Sequence, residues 1–161
     1  VTARASDLCG LIDKTIGDAR SIAIRLRPGI LDDLGLVDAL EWYTDDFEKR
    51  TGITCLFEHR NATPVDGAVA TTAYRIAQEA LTNVARHADA KSVDVVLKAD
   101  DGLLNLTVAD DGRGFEPGAI SENEGLGLAG MRERAGLVGG TLAVRTMPGE
   151  GVQVMFELKM P

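Results

Sequence analysis

The sequence predicts an α/β (α+β) two-layer sandwich, in which a mixed, mainly antiparallel sheet carries its helices on one face. Three observations predict this class. The periodic segments follow the order helix, helix, strand, helix, strand, strand, helix, strand, strand. Short turns join two pairs of consecutive strands, which makes each pair a hairpin. Finally, 45% of the 161 residues are hydrophobic and the mean hydropathy is near zero, so one domain with its own core is expected.

Charge and composition restrict the function. The net charge of −8 argues against nucleic acid as a partner, because nucleic-acid binding needs a basic surface. No apolar run approaches the ~18 residues of a membrane helix. The N-terminus has neither a Met nor an apolar signal segment, so we expect a piece of a longer cytoplasmic protein, and the sequence leaves open whether the parent is membrane-bound or soluble. Cys9 and Cys55 are expected to be free thiols.

The first predicted helix covers residues 7–27 and ends before Pro28. Its apolar residues follow an a/d spacing over about three heptads. Two interpretations are open: the helix packs on its own domain, or it is half of a helical hairpin that pairs in a bundle. The residues of the seam are Leu8, Ile12, Thr15, Ala19, Ile22 and Leu26.

The remaining elements are predicted from their periodicity. "RPGILDDLGL" is expected to turn the chain before a second helix over about Asp38–Lys49. A third helix is expected over residues 69–87, and a fourth over about Leu128–Leu137. Alternating apolar residues predict strands over residues 53–59, 92–98, 103–109, 141–147 and 152–159.

Polar side chains share one side of the third helix. Glu79, Asn83 and His87 are spaced i, i+4, i+8, and Arg86 stands beside them. Carboxylate and amide oxygens together with substrate phosphates are the ligands that Mg²⁺ prefers. The alternative is a solvated polar stripe on an amphipathic helix.

Two glycine-containing segments follow. "DDGRGF", from Asp110, comes directly after a strand, where an Asp-Gly pair is often only a hairpin turn. "GLGLAGMRERAGLVGG", from Gly125, places glycines before a helix, whose N-terminus suits a polyphosphate. The alternative for this segment is a flexible loop at a helix start.

The order of the three motifs, ExxxN on a helix, DxGxG after a strand and GxGL at a later helix, resembles the Bergerat ATP-binding fold. Gyrase, the Hsp90 chaperone, sensor histidine kinases and MutL share this fold. The resemblance covers about Thr51 to Pro161. It implies that Asp110 accepts a hydrogen bond from the adenine amino group, and that Gly112 and Gly114 let the backbone lie against the base.

The resemblance also implies roles at the phosphate end of a bound ATP. Asn83 matches the asparagine that ligates Mg²⁺, Glu79 the acid beside it, and Arg86 the basic phosphate contact. His87 matches the polar neighbour of the phosphates. Gly125 and Gly127 match the second glycine box, and residues 116–124 the lid. Three neighbouring side chains complete the predicted nucleotide-binding set: Phe115, Leu126 and Leu128.

Residues 26–40, "LRPGILDDLGLVDAL", resemble sensor histidine kinases of the NarL type, as do "YRIAQEALTNVARHA" and "GLGLAGMRERAGLVGG". This implies a partial dimerisation and histidine-phosphotransfer region over residues 1–50 and a catalytic, ATP-binding domain over residues 51–161. It implies transfer of the ATP γ-phosphoryl group to a histidine for relay to a response-regulator receiver domain. The full-length parent is expected to form a homodimer through its dimerisation helices.

Two departures from that pattern matter. The helix with the phosphoacceptor histidine is missing, since neither His59 nor His87 matches the acceptor, so this chain alone is not expected to autophosphorylate. Val152 stands where the family has a threonine near the adenine. Two other functions are consistent with the motifs: an ATPase in which Glu79 activates water, and a non-catalytic nucleotide-binding module.

Overall fold

A computed structural model describes residues 29–61, 64–116 and 122–160. The helix predicted over residues 7–27 lies outside this part of the chain, as does Cys9. The described helices are α1 (Gly29–Thr51), α2 (Gly67–Asn83) and α3 (Glu122–Leu137), and a π-helical turn (Val84–Ala88) follows α2. The strands are β1 (Thr54–Arg60), β2 (Ser92–Asp100), β3 (Leu103–Asp110), β4 (Thr141–Thr146) and β5 (Val152–Lys159).

The five strands form one open sheet in the order β1-β2-β3-β5-β4. Strand β1 pairs with β2 in parallel, and the other neighbours are antiparallel. The two hairpins predicted from the sequence are present as β2-β3 and β4-β5. Strands β1 and β2 can pair in parallel because α2 lies between them in the chain and forms the crossover connection. The predicted mixed, mainly antiparallel α/β sheet is therefore confirmed.

One face of the sheet packs against the helices. Strand β2 shows the alternation most clearly, because Val93, Val95 and Leu97 are buried while Asp94 and Lys98 are exposed. Helix α2 contacts β3 and β5, and both α1 and α3 pack against α2. Within the described residues, no helix is long and apolar enough to cross a membrane.

Helix α1 differs from the prediction. The segment "RPGILDDLGL" was expected to be a turn, but helical structure begins at Gly29 and is interrupted only at Gly35 (φ 78°, ψ 169°). Leu31 and Leu36 are buried on the two sides of this break. Because both sides are anchored in the core, the change of direction is confined to a single residue whose backbone only glycine adopts readily.

The third predicted helix also differs at its C-terminal end. A continuous α-helix was expected through His87, but the α-helix ends at Asn83 and widens into the π-helical turn. Val84 and Ala88 are both buried, and Asp89 then leaves the turn with a left-handed backbone (φ 51°). The wider turn allows both apolar side chains to stay in the core before the chain enters β2, and such turns are frequent at functional sites.

The last helix begins earlier than predicted, at Glu122 instead of Leu128. Gly125 and Gly127 therefore lie inside α3 and not in a loop before it. The prediction placed the start of the helix too late because glycine has a low helix propensity. Tertiary packing overrides this propensity, because Leu128, Met131 and Ala135 fix one side of α3 in the core.

Candidate active site

A cavity of about 350 Å³ lies between α2 with its π-helical turn and the helix-facing side of the sheet. Asn83, from the end of α2, and Asp110, from the end of β3, both line it. So do the predicted site residues His87, Gly114, Phe115 and Leu128. The remainder of the lining is apolar apart from Arg113: Ala80, Val84, Ala88, Val108, Val152 and Val154.

Asp110 is placed by the last residue pair of the β2-β3 ladder and held by the loop that follows. Its Oδ1 accepts a hydrogen bond of 2.9 Å from the Gly112 N–H, and the Val152 N–H also donates to this carboxyl. Desolvation by burial is the main cause that raises its pKa above the ordinary aspartate value, against the lowering effect of these two N–H donors. A half-buried carboxyl in a largely apolar cavity can accept a hydrogen bond from an N–H group of a ligand.

Gly112 and Gly114 permit close backbone packing within the protein itself. A Cβ on Gly112 would overlap the Ala88 carbonyl oxygen, and one on Gly114 (φ +57°) would overlap the Met147 carbonyl oxygen. The Arg113 N–H donates a hydrogen bond of 2.8 Å to the same Ala88 carbonyl oxygen. These glycines therefore hold the loop of "DDGRGF" against the π-helical turn on one side and against the β4-β5 turn on the other.

The second acid of the motif has a structural role. The Asp111 carboxylate is exposed and accepts hydrogen bonds from the Lys91 N–H (2.8 Å), the Ser92 N–H (2.9 Å) and the Ser92 hydroxyl (3.0 Å). These donors, chiefly the Ser92 N–H, lower the pKa of Asp111. Asp111 thus ties the loop to the start of β2.

The end of β4 at Thr146 and the β4-β5 turn, residues 147–151, pack against the loop that contains Asp110. Thr146 Oγ1 accepts from the Phe115 N–H (3.1 Å) and donates to the Gly151 carbonyl (2.9 Å). The Gly149 N–H donates to the Arg113 carbonyl at 2.6 Å. A Cβ on Gly151 (φ +72°) would overlap the Asp110 carbonyl oxygen.

Sequence reasoning did not assign Thr146 to the site, and it noted Gly151 only within Gly149-Glu150-Gly151-Val152, which resembles the family's late GxGT motif. The Gly-Glu-Gly turn after a strand was a visible signal, but its contact with Asp110 depends on the pairing of β3 with β5. That pairing joins strands distant in the chain.

The predicted metal-binding residues lie where α3 meets α2. A Cβ on Gly127 would be 2.7 Å from Glu79 Oε1 and 3.6 Å from Asn83 Nδ2, so both side chains approach the same point of α3. In the described ranges, no three His, Cys, Asp or Glu side chains form a group that could hold a metal ion. An ion at this point would need oxygen ligands beyond those of the protein.

Six predicted residues do not line the cavity: Glu79, Arg86, Gly112, Gly125, Leu126 and Gly127. Arg86 is exposed on the π-helical turn, and Leu126 is 70% exposed on α3. Of these six, Gly112 packs against Ala88 and Asp110, and Gly127 against Glu79 and Asn83. Arg113 is the one Lys or Arg among the described residues that line the cavity, and the sequence did not single it out.

Residues 68–161 match the family described as histidine kinase-, DNA gyrase B- and HSP90-like ATPases. The match contains all but the first residue of α2, every described residue that lines the cavity, and all but the first strand of the sheet. The chain belongs to this family.

Relatives of this ATPase-family chain include sensor kinases. The chain is 38% identical over 151 residues to the oxygen sensor histidine kinase NreB of Staphylococcus carnosus, covering 92% of this chain and 43% of NreB. The solved histidine kinase domain of a blue-light activated histidine kinase from Erythrobacter litoralis is 28% identical, with a TM-score of 0.64; the match covers 78% of this chain and 61% of that one. The chain therefore spans less than half of the length of NreB.

A third similarity supports the fold alone. Full-length ShkA, solved in complex with AMPPNP, has a TM-score of 0.63 to this chain at 22% identity, and the match covers 78% of this chain and 29% of ShkA.

Proposed function

We propose that this chain is the ATP-binding catalytic domain of a two-component sensor histidine kinase. In this proposal residues 51–161 form the catalytic domain, and residues 1–50 belong to the dimerisation and phosphotransfer region. The family match and the likeness to NreB support it. The single observation that carries it is the shared cavity: Asp110 and Asn83, which come from different elements, line the same space.

Asp110 would recognise the purine. Its carboxyl oxygens accept hydrogen bonds and can bind the exocyclic amino group of adenine, whereas guanine presents a carbonyl at that position, which would leave two acceptors facing each other. The base would lie against the apolar lining, which includes Val84, Val108 and Val154. Val152 has no hydroxyl to offer the adenine, so the Asp110 carboxyl carries this polar recognition.

Asn83 would bind Mg²⁺ at the other end of the cavity. Its amide oxygen and the nearby Glu79 carboxylate are hard oxygen donors of the type Mg²⁺ prefers, and phosphate oxygens and water would supply the remaining ligands. Bound Mg²⁺ would neutralise charge on the phosphates. The donor chemistry of these two residues fits this ion, and Gly127 is what lets Glu79 and Asn83 meet there, because a Cβ at Gly127 would lie 2.7 Å from Glu79 Oε1.

The acceptor of the γ-phosphoryl group would be a histidine on a helix outside this chain. Phosphoryl transfer depends mainly on positioning and charge neutralisation, so the catalytic domain needs to present the γ-phosphate and no nucleophile of its own. The phosphohistidine would then supply a response-regulator receiver domain. Dimerisation of the parent through its helices and a cytoplasmic location of this domain belong to the same proposal.

The test uses the full-length parent with ATP labelled at the γ-phosphate. A protein-bound label that is lost in acid and retained in alkali is expected, and this chain alone should remain unlabelled. Two results would contradict the proposal. Rapid phosphate release by this chain alone would indicate an ATPase in which Glu79 activates water. Nucleotide binding without labelling of the parent would indicate a non-catalytic nucleotide-binding module.

A further inference from the structure

Arg113 connects the two ends of the cavity. Its backbone N–H donates to the Ala88 carbonyl (2.8 Å) and its side-chain Nε donates to the His87 carbonyl (2.7 Å). Its own carbonyl accepts from the Gly149 N–H (2.6 Å). The residue therefore joins the loop that contains Asp110 to the π-helical turn that follows Asn83.

These bonds leave the outer part of the guanidinium available. Nε faces a backbone carbonyl, so the terminal Nη1 and Nη2 groups retain their donors. Within residues 29–61, 64–116 and 122–160, no carboxylate forms an ion pair with Arg113. A guanidinium held at Nε keeps its remaining N–H groups in a planar fork, a geometry that suits oxyanions.

The charge of the cavity also points to Arg113. Among the lining residues in the described part of the chain, Asp110 is the one Asp or Glu and Arg113 is the one Lys or Arg. Arg86, for which the sequence predicted the phosphate contact, is absent from the lining, although both Arg86 and Arg113 are exposed. In a chain of net charge −8, a polyphosphate bound in this cavity meets repulsion unless cations are held nearby. Arg132 and Arg145 line the adjoining space, which also reaches Asp110, but they do not line this cavity.

We propose that Arg113 is a nucleotide-binding residue that pairs with a phosphate oxygen of the bound nucleotide while its Nε stays on the His87 carbonyl. This inference rests on the proposed function and adds to it a specific cation at the cavity. One residue would then couple recognition of the base, through the loop of Asp110, to recognition of the phosphates. Arg113→Gln removes the charge, Arg113→Lys retains it without the fork, and Arg60→Gln is a matched control at an exposed arginine of β1 outside the cavity lining.

The experiment is calorimetric titration of this chain with adenosine, AMP, ADP and ATP, without Mg²⁺. For Arg113→Gln we expect affinity for ATP and ADP to fall about 5- to 20-fold, which corresponds to a hydrogen bond to a charged group, and adenosine affinity to stay within about twofold. Arg113→Lys should recover part of the ATP affinity, and Arg60→Gln should change nothing. Added salt should weaken ATP binding more for the unaltered chain than for Arg113→Gln, because the charge pair is screened.

Two results would overturn this inference while leaving the proposed function intact. An equal loss for adenosine and ATP would show that Arg113 only shapes the loop. An unchanged ATP affinity in Arg113→Gln, with a melting temperature that shows the variant folded, would show that Arg113 touches no phosphate. Failure of the unaltered chain to bind any of the four ligands would overturn the proposed function itself and this inference with it.

Discussion

Asp110 and Asp111 are neighbours in the chain, but their carboxylates face different partners. Asp110 lines the cavity and is partly desolvated, whereas Asp111 is exposed and accepts three hydrogen bonds from Lys91 and Ser92 at the start of β2. The Asp-Asp-Gly sequence therefore contains one carboxyl available to a ligand and one used by the fold. This difference provides a matched pair of variants.

Asp110→Asn should lower affinity for adenine nucleotides about 100-fold or more, because the new NH₂ group can place a donor against the adenine amino group. Asp111→Asn retains an acceptor oxygen for the β2 backbone and should leave the affinity nearly unchanged. Calorimetry with ADP measures both. Equal affinities for the unaltered chain and Asp110→Asn would remove the assignment of Asp110 to adenine.

The same pair should affect stability in opposite directions with pH. Asp111 has a lowered folded-state pKa, so its contribution is present above the unfolded-state value of ~3.9 and is lost as the pH falls through the folded-state pKa. Asp110 has a raised pKa, so its relative stabilisation is present below ~3.9 and is lost as the pH rises through its folded-state value.

At neutral pH, Asp111→Asn should therefore melt below the unaltered chain and Asp110→Asn at or above it. Both differences should shrink in acid. Thermal melts between pH 3 and 7 test this, and a destabilised Asp110→Asn at neutral pH would contradict it.

Gly151 and Gly149 form a second matched pair, because both have a positive φ but only Gly151 is crowded. Gly149→Ala meets no atom within 4 Å, so it should cost only backbone strain, about 1–2 kcal/mol, and keep nucleotide affinity. Gly151→Ala would overlap the Asp110 carbonyl and should cost roughly 2–4 kcal/mol in total while weakening ADP binding. Chemical denaturation and calorimetry distinguish them; similar effects in both variants would contradict the contact.

Thr146 should act on the site through its hydroxyl. Thr146→Val leaves the Phe115 N–H and the Gly151 carbonyl without this partner, which should cost about 1–3 kcal/mol of folding free energy and weaken nucleotide binding. Thr146→Ser keeps the hydroxyl and should recover most of both losses. If serine recovers neither, the methyl group and not the hydroxyl is what matters at this position.

The break in α1 gives a prediction about stability alone. Gly35→Ala should lower the free energy of unfolding by about 1–3 kcal/mol, because φ 78° and ψ 169° is a region essentially confined to glycine. Gly136→Ala, near the end of α3, meets no atom within 4 Å and has no positive φ, so it should stabilise by about 0.5–1 kcal/mol. Denaturant titration compares the two; a neutral Gly35→Ala would contradict the observed break.

Local periodicity was sufficient for most of the elements. The strands of both hairpins and the apolar face of α2 were predicted because each buries alternate or helically spaced side chains, a pattern written directly in the sequence. The boundaries that failed lie at Gly29–Gly35, at the end of α2 and at Gly125–Gly127. At the two glycine-containing boundaries, burial outweighed propensity, because anchored side chains such as Leu31 and Leu128 stabilise more than a glycine costs. At the end of α2, the burial of Val84 and Ala88 accompanies a wider π-helical turn that periodicity does not reveal.

The sequence by itself determined the class of sheet, the order of the elements and the candidate residues Glu79, Asn83 and Asp110, because each depends on residue type and short-range spacing. Only the tertiary structure decided which candidates share a cavity, that Arg113 lines it while Arg86 does not, and that Thr146 and Gly151 support Asp110. The physical reason is that these contacts form across α2, the π-helical turn and the β3-β5 pairing. Such contacts depend on how distant segments pack, and no short window of sequence encodes them.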